Sequence, residues 1–304
     1  MSDKAGQQGS EFTAVAVAVF GSICVGSVPF LVRLLQTTGQ DTLSILFWRY
    51  LIGLGLLVPL AVLLGHKVTP AARPAALGLL LLGAFSAGQS FCYYKAIEKI
   101  PTSIAVTIFF AYPIVLLGIE RVVVKMRAPL STVAAVALIF LGVALMSLPR
   151  AGEFSASALD WALIISTPLL YAVYISASHG FTRRLPTLAA ATMLYLGQVL
   201  ALAPVVAAVG LAVPATAHDW LIQLAIASLG GALYIAGFAY ALPRLSSAGY
   251  SVIMALELVT GVGLAVLALG EPLLALQAAG VLLVLAGVIL DRLMRARRIA
   301  ARRE

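Results

Sequence analysis

Long apolar runs follow one another along the whole chain, and that repetition restricts the fold more than any other feature. A hydrocarbon core about 30 Å thick is crossed by about 20 residues of helix. Ten segments near that length can be marked, at 14–35, 44–64, 74–96, 101–120, 129–149, 160–180, 187–209, 219–242, 246–269 and 272–290. Each is continuously apolar rather than alternating in polarity, so helices are predicted and a membrane barrel is not. Composition enters here as a check: 62% of the 304 residues are hydrophobic and 11% are charged. Soluble domains carry about 25% charged residues, and so few charges could not cover a surface in water. The expected class is an all-α integral membrane protein with ten transmembrane helices.

The charges lie in the gaps between runs and set an orientation. With the N-terminus taken as cytoplasmic, the inner side collects Lys4, Lys67, Arg73, Arg121, Lys125, Arg127, Arg183, Arg184, Arg244 and six tail arginines. The outer side keeps Arg33, Arg49, Lys95, Lys99 and Arg150, a 15-to-5 split. Such a bias is what insertion into a cytoplasmic membrane selects, and an even number of spans returns the C-terminus to the cytoplasm. A multi-pass protein of the cell membrane with both termini cytoplasmic is expected. The polar segment 1–10 lacks the basic-plus-apolar pattern of a signal peptide and reads as a disordered tail. The basic tail 291–304 directly follows an apolar run, which favours contact with anionic headgroups over a nucleic-acid partner. Arg33, Lys95 and Arg49 are expected to snorkel from helix ends to the headgroups.

An internal repeat is also visible. A shift of 145 residues aligns Ala96 with Ala241, Ile108 with Ile253, Gly118 with Gly263, Leu138 with Leu283 and Gly142-Val143 with Gly287-Val288. The charge pattern strengthens these cheap apolar matches. Five spans per half is an odd number, so the second copy must enter the membrane upside down, and equivalent loops should differ in basic content. The loop after the second run carries Lys67 and Arg73, whereas its counterpart, AVPATAHD, has no Lys or Arg. Two inverted five-helix repeats are therefore expected, over 14–149 and 160–290, with a linker at 150–159, an N-terminal tail at 1–13 and a basic tail at 291–304. Such repeats are a transporter architecture, with the solute held near mid-membrane between the halves.

Particular runs carry a family resemblance. The second-half run ALELVTGVGLAVLALGEPLLALQAAGVLLVLAGVIL, 255–290, resembles the last two helices of the EamA repeat in the drug/metabolite transporter superfamily. FFAYPIVLLGIE, 109–120, resembles helix 4 of that repeat, Phe47-Trp48-Arg49 the start of helix 2, and Tyr171-Ala172-Val173-Tyr174-Ile175 the start of the second copy. The first half departs from the pattern, with Lys125-Met126-Arg127 near the place of the second half's Gly270-Glu271-Pro272-Leu273. The resemblance implies ten helices in a five-plus-five inverted arrangement that moves small organic solutes across the cytoplasmic membrane, often outward.

Glu257, in the middle of the ninth run, is the sharpest candidate for handling a solute. A carboxylate at that depth almost always faces a bundle interior or a wet cavity. It suits an ammonium group or proton coupling, and equally an acid that ties helices together. The 145-residue shift sets Tyr112 opposite Glu257 and Gln89 opposite Tyr234. Polar and aromatic residues recur at helical spacing in other runs: Gln89 and Tyr93 in the third, Tyr171 and Tyr174 in the sixth, Tyr250 with Glu257 in the ninth. Together with Tyr112 and Tyr234 these eight residues form the expected substrate site. Such faces should turn inward, since polar groups facing lipid go unsatisfied.

Enzymatic chemistry is not expected. His66, His179 and His218 are scattered, Cys24 and Cys92 lie in apolar runs, and no phosphate-binding motif couples nucleotide hydrolysis. No cofactor or metal is expected. The leading expectation is a secondary transporter exporting small amphipathic metabolites, amino acids or related amines. A multidrug or quaternary-amine exporter of the same fold, a membrane-embedded enzyme acting on lipid, and an anchored interaction partner stand as alternatives.

Overall fold

The structure, a computed structural model, describes residues 2–112, 155–182, 184–234, 256–270 and 273–301, with isolated positions between 115 and 145. All regular elements among the described residues are helical. They are α1 (Ser2–Thr37), α2 (Thr42–Leu63), α3 (Arg73–Ala96), α4 (Thr102–Phe109), α5 (Ala158–Thr182), α6 (Thr187–Val209), α7 (Ala217–Ala227), α8 (Leu256–Leu269) and α9 (Ala275–Ala301). Five helical segments are long and apolar enough to cross a membrane: Thr13–Thr37, Thr42–Leu63, Pro70–Ala96, Ala158–Thr182 and Thr187–Val209. Leu256–Leu269 and Ala275–Gly287 are shorter apolar helices. Most of the expected span 129–149, together with 235–242 and 246–255, lies outside the described residues.

Local sequence explains where the helices begin and end. The Asp41 carboxylate accepts the Ser44 N–H at 2.9 Å and caps α2. At the other end, Gly65 adopts φ 68°, a left-handed conformation that favours a residue without Cβ. Its N–H donates to Val62 O at 3.0 Å and that of His66 to Ala61 O at 2.8 Å, the paired bonds of a Schellman turn. A reciprocal capping box joins Thr216 and Asp219 at the start of α7.

One expectation about the ends needs correction. The N-terminal segment is helical from Ser2 rather than a disordered tail, and α9 runs on to Ala301 through the basic stretch. Extending a formed helix fixes one residue per hydrogen bond gained, so the apolar spans propagate outward more readily than a fresh helix would nucleate. The eighth expected span also departs from a plain helix. After Ala227 the backbone becomes a π-helical turn, Ser228–Leu233, centred on Gly230 and Gly231, residues of poor helix propensity.

The packing pattern repeats when the halves are exchanged. α1 packs on α8 as α5 packs on α4; α3 packs on α5 as α7 packs on α1; α3 packs on α6 as α7 packs on α2. The pairs α2 with α6 and α4 with α8 map onto themselves. The N-terminus of α2 meets the C-terminal end of α6, so these two helices run antiparallel. Ser44 Oγ accepts the Ala212 N–H at 2.9 Å, and the Trp48 indole N–H donates to Ala212 O at 3.1 Å.

Helix crossings are made by glycine. A Cβ at Gly83 would stand 2.1 Å from Leu194 O, and one at Gly197 would stand 2.0 Å from Leu80 O, so α3 and α6 touch backbone to backbone. Small residues permit this close approach, which is how helices gain contact where lipid offers no hydrophobic drive. Large apolar side chains instead point outward, as at Leu63 (82% exposed) and Leu267 (86% exposed), the arrangement lipid requires.

Candidate functional site

A cavity of about 130 Å³ lies between the two halves. One water needs about 10–15 Å³, so the space admits a small organic solute. Its walls are Val25, Gly26, Val28 and Pro29 of α1; Arg49 of α2; Gln89, Ser90, Tyr93 and Tyr94 of α3; Val106 and Phe109 of α4 with Phe110; Tyr171 of α5; and Glu257 of α8.

Glu257 is placed by a tight crossing of α1 and α8. A Cβ at Gly26 would lie 2.6 Å from Glu257 O and 2.9 Å from Thr260 Cβ. The absence of a side chain at Gly26 therefore brings the carboxylate's own backbone against α1. Among the described residues no hydrogen bond or ion pair engages this carboxylate.

Facing residues form an aromatic wall. The Tyr171 ring lies 4.8 Å from Phe109 and 4.9 Å from Tyr112, centroid to centroid, and Tyr93 lies 5.5 Å from Phe109. Four of the eight expected site residues line the cavity: Glu257, Tyr171, Gln89 and Tyr93. Tyr112 and Tyr174 stand behind Tyr171 as a second layer, Tyr174 stacked on it at 5.9 Å. Tyr234 is separate from the lining, its ring near Gly21 of α1. Tyr250 lies outside the described residues.

Arg49 is the main correction to the sequence reading. It was expected to reach the headgroups, but α2 begins at Thr42, two turns earlier, which sets Arg49 about 10 Å along the helix. The guanidinium turns inward instead. Its Nη1 donates to the Tyr94 hydroxyl at 2.8 Å, and it stands 5.6 Å from the ring centroids of both Tyr50 and Tyr94. Gly230 makes room for it, since a Cβ there would lie 3.2 Å from Nη2. Phe109 and Phe110 stand out in the sequence only within the FFAYPIVLLGIE run, and no polarity signal marks them.

A set of side-chain contacts bridges the helix ends on one side of the cavity. Arg33 Nη1 donates to Glu98 O at 3.0 Å, and Gln36 Nε2 donates to Tyr94 O at 2.7 Å and Thr42 Oγ1 at 2.9 Å. Thr42 also donates to the Glu98 carboxylate, which pairs with Lys95 at 2.6 Å. Arg33 lies one turn beyond Pro29 of the cavity lining, so this clasp lies at the end where α1 stops and α2 starts.

A helical protein built of apolar spans, with a charged and aromatic cavity between two like halves, is a polytopic membrane protein of the transporter class. The profile of the EamA-like transporter family matches residues 12–148 and again 161–291, and the chain belongs to that family. Its drug/metabolite type of membrane transport, with a small-molecule substrate, follows. A solved structure described as "Crystal structure of protein" superposes with a TM-score of 0.68 at 18% identity, covering 95% of this chain and 99% of that one. At that identity it speaks for the fold alone. No protein with a curated description matches.

Proposed function

We propose that the protein is a secondary transporter that exports small amphipathic metabolites, amino acids or related amines, by alternating access. In this reading ten spans form two inverted five-helix repeats, 14–149 and 160–290, in the cell membrane with both termini cytoplasmic. The packing pattern that survives exchange of the halves, and the antiparallel run of α2 and α6, support the inversion. The single observation that carries the function is the Glu257 carboxylate, unpaired among the described residues, in the same cavity as the Phe109 and Tyr171 rings. An ammonium group is drawn both to the carboxylate and to aromatic faces, and an apolar side chain packs on the remaining wall. The same carboxylate is a candidate carrier for a coupled proton, since among the described residues no partner has to release it before it binds one.

The test is transport in proteoliposomes with Glu257→Gln, which keeps the shape and removes the charge. Export of radiolabelled amino acids or amines by the native protein should fall at least tenfold in the variant, for the loss of one charge-assisted contact. Unchanged transport in Glu257→Gln would remove the proposed role of that carboxylate.

A further inference from the structure

Arg49 is a cation that binding an amine does not require, and the cavity holds it without neutralising it. A guanidinium carries five N–H donors. One donates to Tyr94, the Tyr195 hydroxyl is a further neighbour, and the buried Nε–H has no partner. Among the described residues no carboxylate forms an ion pair with it, Glu257 included. The Tyr50 and Tyr94 rings hold the group at 5.6 Å each. Such contacts orient a cation and leave its charge intact. The clearance at Gly230 is specific too, because a Cβ would press on Val28 Cγ2 at 2.6 Å as well as on the guanidinium.

A buried charge kept from a partner is costly, and here the cation and the anion of one cavity are both kept from each other. Arg49 presents a planar fork matched to a carboxylate, a geometry that lysine lacks. We propose that Arg49 is the carboxylate anchor of the site. The solute is then a zwitterion, an amino acid whose carboxylate meets Arg49 and whose ammonium group meets Glu257, with its side chain on the Phe109 and Tyr171 wall. This rests on the transport reading above and narrows it from amines in general to amino acids.

The experiment compares matched probes by calorimetry on the full chain in nanodiscs. L-leucine is set against isoamylamine, which lacks the carboxylate, and 4-methylpentanoate, which lacks the amine; equivalent sets are built on L-phenylalanine and L-methionine. The native protein should bind at least one amino acid roughly ten- to hundredfold more tightly than its amine, the worth of a hydrogen-bonded charge contact. Arg49→Gln should bring amino acid and amine to within about threefold of each other by weakening only the former, and Arg49→Lys should restore part of the preference. If Arg49→Gln does not fold, the native comparison and Arg49→Lys still decide. Equal binding of amino acid and amine by the native protein, or a preference that survives Arg49→Gln, overturns the anchor and leaves an amine transporter standing. Acid probes that bind as tightly as the amino acids overturn the two-pole arrangement. Failure of every amino acid and amine to bind overturns the proposed function itself.

Discussion

Substituting Gly26 by alanine tests whether the α1 and α8 crossing positions the binding carboxylate. The new Cβ would stand 2.6 Å from Glu257 O and 3.1 Å from Glu257 Cα, against 3.4 Å for ordinary contact. Both atoms are backbone, so no rotamer change relieves the clash and the helices must separate by about 0.8 Å at the closest pair. Overpacking of this kind costs about 1–3 kcal/mol. A shift near 1 Å at a positioned group also lowers turnover, by as much as about a hundredfold where geometry is critical. Gly26→Ala should therefore lower the thermal unfolding midpoint in detergent and reduce proteoliposome transport by more than the loss of folded protein explains. Gly21→Ala on the same helix is the control. Its Cβ would meet the Tyr234 ring at an unstrained 3.8 Å, and both readouts should stay near native. A Gly26→Ala protein with native midpoint and native transport would refute the idea that this contact sets the position of Glu257.

The α3 and α6 crossing should behave as one unit. Gly83→Val and Gly197→Val each force apart the same backbones, now 2.1 Å and 2.0 Å from the missing Cβ atoms, so each should destabilise by at least about 1–3 kcal/mol. Once one has parted the helices the second should add less than its own effect, which paired thermal unfolding curves would show. Removing the carboxylate of the clasp with Glu98→Ala should loosen the helix ends that Arg33, Gln36 and Thr42 bridge beside the cavity. A Ser90→Cys reporter in a background lacking Cys24 and Cys92 should then react several-fold faster with an impermeant maleimide added on the clasp side, as expected for loss of roughly 1 kcal/mol of closure.

The apolar spans were legible because their cause is local: length and hydropathy suffice for α1, α2, α3, α5 and α6. Glu257 was legible for a related reason, since a carboxylate at mid-span has few places to go. Arg49 was not. The sequence places it near the start of a hydrophobic run, and only the Asp41 cap at the head of α2 shows that the helix has already made two turns before reaching it. Helical spacing grouped Tyr171 with Tyr174 on one face without saying that Tyr171 alone would reach the cavity, because the rotation of α5 is set by its packing on α3 and α4. The π-helical turn at Gly230 and Gly231 was not legible either, because a change of hydrogen-bond register is not encoded in hydropathy.

The contacts around the cavity differ in kind, and the difference suggests which of them yield during transport. At the glycine crossings α1 meets α8, and α3 meets α6, through backbone atoms packed too closely to slide without a clash. The clasp that joins α1 and α2 to the turn after α3 is made of side-chain hydrogen bonds and an ion pair whose Lys95 side chain is 46% exposed. Each such contact is worth about 1 kcal/mol, rising to about 3 kcal/mol where a charged group takes part. Motion should therefore part the clasp and carry each glycine-linked pair as a body. Glu257 rides with α1 and α8, whereas Arg49 rides with α2, which packs on α6. A zwitterion that needs both poles binds best when the two bodies are together, and such a preference for one state is the only means by which a ligand can shift a conformational equilibrium. An amine touches Glu257 alone and exerts no such pull, so in this scheme the group that selects the solute also closes the protein around it.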